Sequence, residues 1–407
     1  MFAVYRLIRF NPVRLPGVNI VTRLAKPLLV LYVFSLSSYN SREIKTQLNL
    51  MSKVLFNNKN AIFFSSLKAS VDEYFKQRNL RKTGNWLLYT KTLTLIPAAV
   101  AIYIVLLFVS MPVVLTIVMG GTLGFLMACI GFNVMHDANH GSYSSKKWVN
   151  NTLGLSINAL GGNNFIWKQK HNIIHHTYTN VDGVDDDIAK SPFIRMCRTQ
   201  VWKPMHKIQH LYTPFLYAVS SLLWILFQDF EKYFKRRVNT TVLSKMTGND
   251  HFVFWFSKAT YVLFYIVLPV ILMGWQGWLV FFLSMHIGLG FVLAIVFQLA
   301  HVVEETEFEA AGLNETKMIE NEWAVHQVKT TANFSPGNKI VSWFAGGLNY
   351  QIEHHLFPRI SHVHYPALSK IVEAKCRAFD LPYNSIPTMG QAVYSHFRFI
   401  KELGQKK

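Results

Sequence analysis

Cysteine is scarce in this chain and does not cluster. Cys129, Cys197 and Cys376 are its only three among 407 residues, and none belongs to a CxxC pair. That excludes a disulfide framework, a thiolate zinc site and an iron–sulfur cluster, and it fits a reducing compartment. Charge is scarce as well. Only 15% of residues are Asp, Glu, Lys or Arg, below the roughly 25% of an average soluble protein. Acidic residues are fewest, 22 against 41 basic ones, for a net charge of +19. Nucleic acid is one reading of that balance. Because the basic residues flank long apolar runs, an anionic membrane surface with acidic partners or substrates is the better one. No GxGxxG follows a strand, so no nicotinamide or flavin fingerprint is present, and no HExxH places a glutamate between paired histidines.

What the chain does have is apolar length, with 51% hydrophobic residues. Four runs are expected to span a membrane: 93–110, 112–133, 259–274 and 277–300. Very short joints, at Ser110–Pro112 and Trp275–Gln276, pair them into two hairpins. A fifth run, 211–227, is ambiguous. The expected fold is an all-α integral membrane protein, with four transmembrane helices under a helical cap. Its divisions are a basic extension (1–50), an amphipathic pre-membrane segment (51–92), a first hairpin (93–133), a cap region (134–258), a second hairpin (259–300) and a C-terminal cap (301–407). The stretch 27–38 is too short to span, no convincing cleavage site follows it, and Met51 is a candidate start.

Histidine is concentrated in three boxes: His136 and His140 in HDANH, His171, His175 and His176 in HNIIHH, and His354 and His355 in QIEHH. Neutral imidazole is the commonest biological metal ligand. Residues four apart share a helix face, so His136 and His140 reach one metal. His171 and His175 are expected to share a face, with His176 about a quarter turn away, which suits ligands divided between two metals. His354 and His355 form a similar divided pair. Seven box histidines are too many for one centre. If the boxes build one site, they lie on one side of the membrane, and the crossings between His176 and His354 must be even in number. Run 211–227, followed at once by DFEKYFKRR, is therefore read as an interfacial helix. The basic loops 144–208 and 228–258 then fall on the cytoplasmic side, with both termini.

Imidazole suits iron, copper and zinc alike. Zinc hydrolysis has no obvious use at a site fed by a lipid tail, whereas two irons activating O2 use every part. A metal transporter is a competing reading, but it would place its ligands inside the spans.

HDANH, HNIIHH and QIEHH, in this order and with spans between the second and third, resemble the membrane fatty-acid desaturase family. GGLNYQIEHHLFP and HHTYTNVDGVDDDI resemble its front-end, linoleoyl-CoA-desaturase-like branch. The resemblance covers residues 51–395. It implies a di-iron oxidoreductase that removes two hydrogens from a long acyl chain, using O2 and two electrons, on the carboxyl side of an existing double bond. It implies seven box ligands, His136, His140, His171, His175, His176, His354 and His355, with His301 as an eighth candidate just after the fourth span. Related enzymes can have an Asn four residues before that histidine; here it is Phe297. Gln351 stands where many relatives have a further histidine. Gln351, Asp137, Asp186, Asp187 and His326 are candidates to orient ligands, within an acidic run that also contains Asp182 and Asp185.

His286, inside the fourth span, suggests a channel or a helix–helix hydrogen bond. His206, His210, His251, His362, His364 and His396 read as surface or interfacial residues. The HPGG haem signature of fused cytochrome b5 domains is absent, so electrons are expected from a separate ferredoxin or cytochrome b5. The substrate is expected to be acyl-CoA or acyl-lipid, and the membrane a bacterial inner membrane or the endoplasmic reticulum. A lipid hydroxylase or ketolase on the same scaffold is the alternative reading.

Overall fold

The computed structural model describes residues 53–59, 61–189, 192–311 and 316–406. The extension 1–50 and the role of Met51 lie outside the described residues. Among the described residues helices dominate, and the strands form four two-stranded pairings.

The first stem helix, Trp86–Phe108, starts where the Asn85 side chain accepts from the Leu87 N–H at 2.9 Å. It begins seven residues before the expected span at 93. A hydropathy run stops at Lys91, but the helix does not, because Lys91 is buried. Its ammonium donates to Asn133 Oδ1 at 2.9 Å and lies 3.0 Å from His362 Nε2. The segment before it is also more varied than a single amphipathic helix. Strand Lys53–Phe56 pairs in parallel with Thr316–Ile319. Helix Ile62–Gln77 then buries Phe63, Leu67, Val71 and Phe75, spaced four apart along one face, against helix Tyr365–Ala378.

The second apolar helix runs unbroken from Val113 to His140. Box one is therefore the end of a span, as its position in the sequence suggests. A π-helical turn at Gly131–Met135 lies just before the histidines, and Gly141 ends the helix in the left-handed region at φ 74°. The last long helix, Gly248–His301, breaks at Gly274, where φ 73° and ψ 164° leave helical space. Its two arms each exceed the roughly 20 residues a span needs and correspond to the expected second hairpin.

Close glycine contacts join the two hairpins. A Cβ on Gly124 would sit 2.0 Å from the Met285 carbonyl oxygen and 2.7 Å from the Leu289 nitrogen. Because both neighbours are backbone, neither can move aside cheaply. Gly124→Val is expected to lower the thermal midpoint of the detergent-solubilised protein, at a cost of about 1–3 kcal/mol or more. An unchanged midpoint would mean that these helices do not cross there.

Helix Pro204–Lys235 is also long and apolar enough to cross a membrane. Both of its ends, however, are tied to the cap. Near its start Gln209 donates to the Ile400 carbonyl at 2.7 Å; near its end Lys232 donates to Asp186 at 2.6 Å. Ile400 follows His396, which bonds the carbonyl beside His301, and Asp186 follows Asp185, which bonds His175. The helix is thus fastened to the cap near both ends. At its middle it packs on the fourth stem helix, where Ser221 bonds His286 Nδ1 at 2.9 Å and Tyr261 bonds His286 Nε2 at 2.6 Å. His286 is therefore a helix–helix hydrogen bonder. The surface reading of four other histidines is corrected: His206, His362, His364 and His396 are buried. Each has a polar partner that sequence alone does not reveal, such as the Pro192 carbonyl for His206 at 2.9 Å.

Candidate metal centre

Four segments deliver eight buried histidines to one place. The end of the second stem helix supplies His136 and His140, with ring centroids 4.7 Å apart. The end of the fourth supplies His301. Short helix Gln351–Leu356 supplies His354 and His355 on diverging directions, with rings inclined at 82°.

Box two departs from the expected geometry. Gln169–His175 is π-helical, and the His176 N–H bonds the His171 carbonyl five residues back at 3.1 Å. Widening the turn changes which residues coincide. His171 and His176 come together, with their Nε2 atoms 3.3 Å apart, while His175 turns toward His301 and His355. The shared face expected of His171 and His175 is therefore replaced by a close His171–His176 pair.

Four overlapping donor sets result: His136, His140, His171 and His354; His175, His301 and His355; His176, His354 and His355; and His171, His175 and Asp187. Within each set the donor atoms lie within 4.8 Å of one another. His136 Nε2 and His171 Nε2 are 3.2 Å apart, close to the roughly 3.0–3.4 Å edge of a coordination sphere with metal–nitrogen bonds of about 2.1 Å.

The unsatisfied atoms point the same way. The Nε2 atoms of His140, His175, His354 and His355, and both ring nitrogens of His301, are buried without a partner. An orphaned buried polar atom costs roughly 1–3 kcal/mol, and five such rings facing one another fit metal binding. Burial, reinforced by neighbouring imidazoles, holds His171, His176, His354 and His355 well below the usual histidine range, which keeps them neutral donors. His175 is the exception. Burial pulls it down, but the Asp185 carboxylate more than offsets this and raises it.

The outer nitrogens are held by residues mostly missed from sequence. His175 Nδ1–H donates to Asp185 at 3.0 Å, His355 Nδ1–H to Gln327 Oε1 at 2.8 Å, and His354 Nδ1–H to the Tyr365 hydroxyl oxygen at 3.1 Å. Such bonds fix the tautomer and ring direction of a ligating histidine. Only Asp185, within the acidic run, had a sequence signal. Among the favoured orienting candidates, Asp137, Asp186 and His326 bond other partners. Asp137 accepts from Ser361 at 2.7 Å and lies 3.1 Å from His362 Nδ1, joining box one to the loop after box three. Asp186 pairs with Lys232 and Lys170. Asp187 pairs with Lys170 at 2.5 Å and stands 3.8 Å from His175. His326 donates to the Thr179 carbonyl at 2.9 Å and reaches no box imidazole. Gln351 is buried, with its amide oxygen unpartnered. Asp185→Asn is expected to weaken metal retention by about 10- to 100-fold, measured as metal content after graded chelator dialysis. Retention equal to the wild type would remove Asp185 from this role.

A cavity of about 600 Å³ leads to the cluster. Its wall includes Ile166, Leu216, Leu293, Phe297 and Leu348, and it reaches His136, His171 and Gln351. A buried cage of imidazoles thus lies at the end of a largely apolar cavity. The fatty acid desaturase family model matches residues 109–387. The chain belongs to the fatty acid desaturase family. It is an oxidoreductase that desaturates fatty acyl chains. It is 35% identical over 349 residues to an acyl-lipid (8-3)-desaturase of Physcomitrium patens, covering 85% of this chain and 72% of that one. It is 34% identical over 362 residues to an sn-1 linoleoyl-lipid 6-desaturase of Arthrospira platensis, covering 86% and 95%.

Proposed function

We propose that this desaturase is an O2-dependent di-iron enzyme that inserts a cis double bond into the acyl chain of a membrane lipid, on the carboxyl side of an existing double bond. The observation that carries this is the convergence of eight buried histidines, with unpartnered ring nitrogens, at the end of a largely apolar cavity. His136, His140, His171 and His354 would hold one iron, and His175, His301 and His355 the other, with His176 beside both. Iron there would supply the oxidising power, with O2 as acceptor and electrons from a separate ferredoxin or cytochrome b5.

The chain's own residues do the rest. Asp185, Gln327 and Tyr365 fix the imidazole directions. The walls at Ile166, Leu293 and Phe297 exclude water and hold the acyl chain against His136 and His171.

Two features favour acyl-lipid over acyl-CoA as the carrier. The lysines lining the cavity, Lys170 and Lys232, already pair with Asp186 and Asp187, and Asp229 and Glu231 line it too. Such a wall offers poor binding to the phosphates of CoA. At the same time, Phe193 and Leu223 on its rim are 59% and 45% exposed, which suits entry of a chain from the bilayer. The printed names of the two relatives also specify lipid-linked substrates. The basic loops favour a cytoplasmic position for the boxes, in a bacterial inner membrane or the endoplasmic reticulum.

Expression in a host of known lipid composition tests the reading. A new double bond in ester-linked chains, and two irons per purified chain, are expected. A hydroxylated product, or zinc in place of iron, would overturn it.

A further inference from the structure

Substrate and electrons must both reach the cluster, and the acyl cavity touches only part of it. The acyl cavity reaches His136 and His171, but His176 and His355 do not line it. On the His176 side stands Trp323, the first residue of helix Trp323–Thr330. Its indole N–H donates to the His176 backbone carbonyl at 3.0 Å, while the side chain remains partly exposed. Its position is well determined. Its own backbone N–H donates to Asn58 Oδ1 at 3.1 Å, and Phe64 packs edge-on against it at 5.4 Å. Phe64 in turn stacks on Phe357, two residues past His355. A surface hollow of about 470 Å³ lies alongside, lined in part by Lys59, Ile62, Glu322 and Val325. Exposed Arg359 and Arg81 lie on the segments that follow Phe357 and precede the first stem helix.

We propose that Trp323 is the point at which electrons enter the metal centre. The proposal rests on the di-iron reading above and adds the route. A one-electron carrier protein would dock over Trp323, and its electron would pass along the indole N–H···O=C contact to His176 and on to the metals. The carrier loses one electron and the centre gains one at each docking. Two dockings supply the pair needed per double bond, and no bond forms or breaks in the transfer. The indole is neither oxidised nor reduced; it shortens the gap between carrier and ligand. Trp167 also touches the cluster, stacked 4.4 Å from His171, but it lines the acyl cavity and so faces the substrate side.

The test compares two reductants on iron-loaded, full-length enzyme by stopped-flow absorbance of the metal centre. Reduced plant-type ferredoxin and the haem domain of cytochrome b5 must dock, whereas dithionite is small and need not. Trp323→Phe keeps an aromatic ring but removes the N–H; Trp323→Leu removes both. Both variants are expected to keep the wild-type iron content and dithionite rate while being reduced several-fold more slowly by the carrier that serves the wild type, Leu more than Phe. Carrier-driven rates equal to the wild type would overturn the proposal. So would an equal slowing with dithionite, which would reduce Trp323 to a brace for His176, or failure of both carriers to reduce the wild type. A wild type that shows no redox change with dithionite would instead sink the di-iron reading, and this route with it.

Discussion

Replacing His301 by alanine is expected to abolish desaturation and, on the di-iron reading, to lower bound iron from two ions per chain toward one. His301 is the most informative single histidine, because it lies outside all three boxes. Both of its ring nitrogens are buried without a partner. It completes a set of only three donors with His175 and His355, so its loss leaves two imidazoles to hold one ion. Removing an outer hydrogen-bond partner of a ligand costs about 10- to 100-fold in affinity or activity; removing the ligand itself is expected to cost more. The other set retains all four of its histidines and is expected to keep its iron. Metal analysis together with fatty-acid profiling reads both effects. Full iron content and normal product would instead make His301 a buried helix-end residue packed on Phe297, whose ring lies 4.7 Å away.

Removing the metal is expected to make the cap acid-labile. His171, His176, His354 and His355 are held well below the ordinary histidine range by burial and then by one another. In the unfolded chain each returns to a pKa of about 6.5. Below that pH the unfolded state binds more protons than the folded one, so stability falls as pH falls. Each additional proton on the unfolded chain contributes a slope of about 1.4 kcal/mol per pH unit. His175 acts in the opposite sense, since Asp185 raises it against burial; its contribution is present at low pH and is lost as pH rises. Four groups against one give a net loss of stability toward acid. The thermal midpoint of chelator-treated protein should therefore drop steeply between about pH 7 and pH 5.5. Iron-loaded protein should resist until protons displace the metal from its imidazoles. A metal-free midpoint that stays flat or rises toward acid would contradict this account of the cage.

Much of the site was legible because histidine spacing and apolar length are local properties. HDANH at the end of an apolar run is enough to predict two imidazoles on one helix face, and box one has that form. Box two was misread because its local geometry is not α-helical. The π turn at Gln169–His175 pairs His171 with His176, and no residue in HNIIHH announces it. The start of the first stem helix was missed for a related reason. Lys91 reads as the end of a span until Asn133 and His362, 42 and 271 residues away, are seen to satisfy it.

The sequence by itself determined the family, the helical membrane architecture, the ligand type and the separation of the boxes by spans. These follow from residue identity, hydropathy and spacing along one chain. Only the tertiary structure decided how the eight histidines group, that Asp185, Gln327 and Tyr365 hold their outer nitrogens, and that Pro204–Lys235 is bonded to the cap near both ends. It also showed that Asp137 and Asp186 serve other partners. The physical reason is that an imidazole's role depends on what faces each of its two nitrogens. In this protein most of those neighbours come from distant segments, brought together only when the helices pack.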